Sequence, residues 1–199
     1  MTRGIAAEEL MRQLEADPEF VAAREQKERE RQAREAEYRR IEEPLVRELR
    51  ACGLEVDSAW DLVNTRLPYP EALPILLDHL QRAYPDPVKE GIARALAIRE
   101  AKFAWRVLVS AFRRESGPQA KDGLAVAIAA MADKAVLDEL IELARDSTLG
   151  PSRLLLLRAL ARFRTPQARA ALIDLEGDPD LGKEIKVILR RSERRRGHG

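Results

Sequence analysis

The sequence predicts an all-α protein, an α-solenoid of about four helix pairs preceded by a long charged helix and short helices. Three observations lead there. No run of β-branched and aromatic residues alternates with polar ones, as a half-buried strand would require. Apolar segments of helical period are instead separated by prolines and glycines. Finally, the segments that begin at residues 74, 106, 138 and 170, PILLDHL, RVLVSAF, DELIELA and AALIDLE, recur at a fixed offset of 32 residues.

The 199 residues are long enough for one globular domain with an appendage, and 45% of them are hydrophobic. The 35 basic and 34 acidic side chains leave a formal net charge of +1, so no bulk field selects nucleic acid, membrane or an acidic substrate. The single cysteine, Cys52, excludes an internal disulfide framework and a Cys-rich zinc module. No apolar run approaches the roughly 20 residues that span a bilayer, and Met1 to Ile5 lacks the apolar core of a secretory signal. A soluble cytoplasmic protein is expected.

Residues 1–67 read as a helical extension. Leu10, Met11 and Leu14 share one face of a short amphipathic helix. Asp17-Pro18-Glu19 supplies an N-cap, a proline in the first turn and a dipole-favoured acid for a long helix over about 19–41. Between Arg24 and Arg40 its only apolar residue besides alanine is Tyr38, too few for the a and d positions of a coiled coil. The i,i+4 pairs Glu25–Arg29, Glu30–Arg34 and Glu35–Arg39 let it persist while solvated, each contributing about 0.2–0.5 kcal/mol. Pro44 is expected to open a separate short helix with Leu45, Val46 and Leu49, stopped by Gly53. Asp57 or Ser58 caps a further turn that holds Trp60, Leu62 and Val63. Leu67-Pro68-Tyr69-Pro70 breaks the chain and marks the expected seam.

Residues 68–191 carry the repeat. Leu76, Leu108, Leu140 and Leu172 form one column, followed by Leu77, Val109, Ile141 and Ile173. The same offset aligns a second helix through Ile92, Leu124, Leu156 and Ile188, then Ala95, Ala127 and Ala159, then Leu96, Ile128 and Leu160. A pair of this size cannot bury its apolar face alone, so neighbours must stack. The spacing, the pairing and the segment Pro87-Val88-Lys89-Glu90-Gly91-Ile92-Ala93-Arg94-Ala95-Leu96 resemble HEAT and HEAT-like (PBS-lyase-type) repeats. That resemblance covers about 120 residues and implies a right-handed solenoid whose second helices line a concave surface. The last unit departs from the pattern at Arg191 and Ser192 and reads as a cap, and 192–199 as a basic disordered tail.

No catalytic set, metal site or cofactor is indicated. His79 shares a column with Ala111, Leu143 and Leu175, the mark of a packed histidine, and His198 lies in the tail. Asp174, Glu176, Asp178 and Asp180 superficially suit a calcium loop, but Pro179 stands where that loop needs glycine.

Two surface features remain. Helical geometry places 88, 91, 92, 95 and 96 inward and 90, 93, 94 and 97 outward. A shoulder column of Lys89, Lys121 and Arg153 and an outward column of Arg94, Val126, Arg158 and Arg190 then form a basic ladder, interrupted by Glu90 and Asp122 and devoid of aromatic residues. In Pro151–Arg158, Leu155 and Leu156 should face the core while Leu154 and Leu157 protrude, with Leu189 near them. Such a patch is covered either by the Leu10–Leu14 helix, by a partner, or by a second copy. The resemblance implies a non-catalytic adaptor or scaffold that binds a protein partner through the concave helices. Its alternatives are a nucleic-acid-binding protein that uses the ladder, as HEAT-like alkylpurine DNA glycosylases use their concave face, and a toxin-neutralising immunity protein. Arginine outnumbers lysine 28 to 7 throughout, which weakens any reading of local arginines, the run Arg190 to Arg196 included.

Overall fold

A computed structural model describes residues 16–196, and among them it is all-helical, with no strand. The short helix expected around Leu10, Met11 and Leu14 lies outside the described residues. The chain forms two compact units, Met1–Ile41 and Glu42–Gly199. The seam expected at 67/68 therefore falls inside the second unit. Tyr69 is the reason: it is buried, and its hydroxyl donates to the Ala95 carbonyl at 2.9 Å.

Helix α1 spans Pro18–Ala51 without interruption. Asp17 opens it as expected, accepting the Glu19 N–H at 2.9 Å. Glu25 pairs with Arg29 at 3.5 Å, whereas Glu35 reaches back to Arg31, which also holds Glu28 at 2.6 Å. Pro44 sits inside the helix rather than at a new start. Its missing N–H costs one backbone hydrogen bond, and burial of Leu45, Val46 and Leu49 immediately after it offsets that loss.

In the second unit, Glu42 is buried and its carboxylate accepts the Ala59 N–H at 2.6 Å, the first residue of α2 (Ala59–Asn64). Burial pushes the Glu42 carboxyl above its ordinary pKa, against the lowering effect of that hydrogen bond. Ser58 and Asp61 complete a capping box on the same helix.

Four helix pairs follow. They are α3 (Ala72–Leu80) with α4 (Asp86–Ala95), α5 (Trp105–Arg114) with α6 (Pro118–Met131), α7 (Leu137–Arg145) with α8 (Leu157–Phe163), and α9 (Pro166–Asp174) with α10 (Gly182–Arg196). A 3-10 segment, Pro151–Leu156, leads into α8. Second helices α4, α6 and α10 start at Asp86, Pro118 and Gly182, and the 3-10 segment before α8 at Pro151, close to the repeat interval. The column Leu76, Leu108, Leu140 and Leu172 is buried throughout, as are Ile92, Leu124 and Leu156 with the alanines and leucines that follow them. In the last pair burial lapses, and Ile173 is 48% exposed. Residues 192–196 continue α10 instead of forming a tail, and Ser192 and Glu193 both hydrogen-bond Arg169 of α9.

Second helices pack on one another in order, α4 on α6 and α6 on Pro151–Leu156, and α2 packs on α4 ahead of them. Glycine permits the closest approach. A Cβ on Gly123 would lie 2.8 Å from the Glu90 carbonyl oxygen and 3.1 Å from the Ala93 Cβ. The Asp86 carboxylate occupies the space beside Gly117 and accepts the N–H groups of Gln119 and Ala120, capping α6 from the preceding pair.

Gly123→Ala should destabilise the protein by about 1–3 kcal/mol through helix displacement, despite alanine's higher helix propensity. Gly91→Ala should cost less, because the nearest atoms its Cβ meets belong to the Trp60 ring, which is 37% exposed and can swing outward. Urea denaturation ranks the two variants, and equal stability losses would contradict this packing.

Candidate functional site

The basic ladder is largely consumed by internal pairing. Lys89 donates to Glu115 at 3.0 Å. Burial opposes the Glu115 charge, but the Gly117 N–H and Lys89 outweigh it and lower the carboxyl pKa. Arg94 donates to Glu90 at 2.8 Å and lies 5.9 Å from the Trp60 ring centre. Lys121 sits 5.7 Å over the Phe112 ring. Only Arg158 and Arg190 of the six expected cations are exposed to solvent as side chains of the surface. Ala93, expected to point outward, is fully buried.

Arg153 departs furthest from expectation, with 1% of its surface exposed. Its guanidinium donates to the Gly150 and Ala144 carbonyls at 2.9 Å each, to Asp178 at 2.9 and 3.3 Å, and to Asp180 at 3.3 Å. Asp178 in turn accepts the Asp180 and Leu181 N–H groups at the entrance to α10. The hydrogen bond from Arg153 holds the Asp178 carboxyl below its ordinary pKa. The acidic cluster thus serves arginines: Asp178 and Asp180 hold Arg153, and Asp174 pairs with Arg145 at 2.7 Å. No group of three or more candidate ligands is placed to hold a metal ion among the described residues.

The leucine patch is also corrected. Leu154 is 38% exposed, but Leu157 is fully buried, and Leu155 and Leu189 are half-buried. The 3-10 segment explains the shift. It advances about 120° per residue rather than 100°, so several such residues rotate the following helix by about one position. Leu157 then takes a core place that straight helical counting gives to its neighbour.

His79 is fully buried, with Nδ1 2.8 Å from the Tyr84 hydroxyl. Its Nε2 lies 3.2 Å from a Glu48 carboxylate oxygen, yet off the hydrogen-bonding direction.

The surface that sequence reasoning missed surrounds Leu67, which is 74% exposed. Beside it a cleft of about 520 Å³ is lined by Val63, Pro68, Ile98, Arg94 and Val126, among others. Arg94 and Val126 come from the expected outward column, so part of that column does reach a concavity. The diproline stretch creates the rest. Buried Tyr69, bonded to Ala95, anchors a chain stiffened by Pro68 and Pro70, and Leu67 is held outward next to it. The signal was present in Leu67-Pro68-Tyr69-Pro70, which reads as a break when the burial of Tyr69 is not known.

Asp178→Ala should destabilise the protein by about 3 kcal/mol at pH 7, since it takes the nearest carboxylate from a buried guanidinium and the acceptor from two amides at the entrance to α10. The wild-type advantage is complete above the ordinary aspartate pKa of 3.8 and is lost as the pH falls through the lower folded-state value. Adding Arg153→Met should recover part of the loss. Thermal melts from pH 7 down to pH 2 read both effects, and a gap that stays constant with pH would contradict the pairing.

In comparisons with known proteins, the chain matches no family model, no curated protein and no solved structure.

Proposed function

We propose that this chain is a non-catalytic protein-interaction module, an adaptor or scaffold built as a right-handed HEAT-like solenoid of about four helix pairs. In this reading the second helices present a concave surface to a protein partner. One observation carries it: a cleft with an aliphatic and partly charged lining, bearing Arg94 and Val126 of two successive second helices, lies beside an exposed Leu67. Aliphatic surface with a polar rim is the usual anatomy of a protein contact. Leu154, Arg158, Leu189 and Arg190 extend the surface available on later second helices. The regular recurrence of helix starts and buried columns supports the solenoid, because stacked pairs of this kind expose long continuous faces. The internal pairing of Lys89, Arg94 and Arg153 favours a protein partner over a nucleic acid, for which several unpaired cations along one track would be needed.

Affinity purification of the full chain from its native host, with mass spectrometry, tests the proposal. A specific protein should be enriched by the wild type and reduced at least tenfold by Leu67→Asp combined with Val126→Glu, with the melting curve little changed. Equal recovery by the variant, or no enriched protein at all, overturns it.

A further inference from the structure

A second cleft, of about 350 Å³, opens where α8, α9 and α10 meet. Its floor is aliphatic: Leu160, Ala168 and Leu172 are buried, and Ile188 and Leu189 are half-buried. Its polar groups from Thr165 and Ser192 are already engaged, Thr165 accepting the Ala168 N–H and Ser192 donating to the Leu189 carbonyl. Among the described residues three arginines line it, Arg164, Arg169 and Arg191, and no carboxylate does. Arg169 is turned toward Ser192 and Glu193, whereas Arg164 and Arg191 are exposed.

Arg164 adds an independent observation. It is the one residue other than glycine with positive φ (52°) among the described residues. Any side chain with a Cβ is strained there, and glycine would serve the helix terminus better. The chain nevertheless carries an arginine at this position, with its side chain at the mouth of an apolar cleft.

We propose that this cleft docks an acidic amphipathic helix of a partner protein, whose apolar residues fill the floor while its carboxylates pair with Arg164 and Arg191. The inference rests on the interaction-module reading but not on the Leu67 surface. Charge complementarity selects the occupant: a floor of leucines and alanines calls for aliphatic side chains, and an arginine rim whose adjoining carboxylate, Glu193, is taken by Arg169 calls for acids at Arg164 and Arg191. Guanidinium groups match carboxylates in bidentate geometry. Small, half-buried Ala161 leaves room for a helix backbone to approach, in the helix-in-groove mode of recognition. Nucleic acid fits less well, since among the described residues the lining contains no aromatic ring on which a base could stack.

The test is fluorescence anisotropy of the full chain with a labelled helical peptide of about four turns, bearing leucines on one face and glutamates on the other. Its control has lysines in place of the glutamates. The acidic peptide should bind, and the lysine peptide should bind at least tenfold more weakly. Arg164→Glu with Arg191→Glu should weaken the acidic peptide about tenfold or more, and Ala161→Trp, which fills the cleft, should abolish binding. Arg164→Gly should weaken binding by several-fold while raising the melting temperature, a combination that a purely structural arginine would not give. Equal binding of both peptides, insensitivity to these variants, or displacement of the peptide by an oligonucleotide or by anionic phosphatidylglycerol vesicles overturns the proposal. If no peptide binds while the Leu67-dependent partner is still captured by Ala161→Trp, the cleft assignment fails and the interaction module stands. If the peptide binds as described but no Leu67-dependent partner exists, the cleft stands and the function assigned to the Leu67 surface falls.

Discussion

Each helix pair in residues 72–196 carries more leucine than it can hide by itself, and that shortage governs the rest of the structure. A fully buried leucine contributes about 1.5–3 kcal/mol relative to an exposed one. Leu76, Leu108, Leu140 and Leu172 are buried, as are Ile92, Leu124 and Leu156, because neighbouring helices close over one another. The alanines between them, together with Gly123, bring the helices near enough for that closure. Where the series ends, the requirement goes unmet: Ile173 occupies the position of buried Val109 and Ile141 yet stays half in water.

Close packing of this kind leaves little space for unpaired charge, so cations near the second helices find partners within the protein. Lys89 turns to Glu115, Arg94 to Glu90 and Trp60, and Arg153 disappears between Asp178, Asp180 and two carbonyls. A periodic column of basic residues therefore describes the repeat as much as a surface. Two recesses with aliphatic walls are left among the described residues, one beside Leu67 and one between α8, α9 and α10.

The helix pairs were legible in the sequence because burial imposes a period that apolar residues repeat without insertion. The starts of α4, α6 and α10 and the burial of Leu76 or Ile128 follow from that period alone. The failures have local physical causes. Pro44 suggested a helix start, but a proline can be carried within a helix when the next turn is as deeply buried as Leu45 and Leu49. Leu157 was misplaced because a 3-10 turn changes the angular step, and nothing in four consecutive leucines reveals which step is used. Local pattern places Arg153 on the surface because its carboxylate partners lie 25 and 27 residues away. The Leu67 surface escaped notice since a tyrosine between prolines does not announce that its ring is buried.

Asp86 gives the array a sense of direction. The first turn of α6 obtains its acceptors from the pair before it, through the Gln119 and Ala120 amides. Exposed amides at a helix start are costly to leave without acceptors, so α6 is fully terminated only once α4 stands in place. Order thus passes from α4 to α6 along the chain, and fraying of the earlier hairpin would uncap the later one.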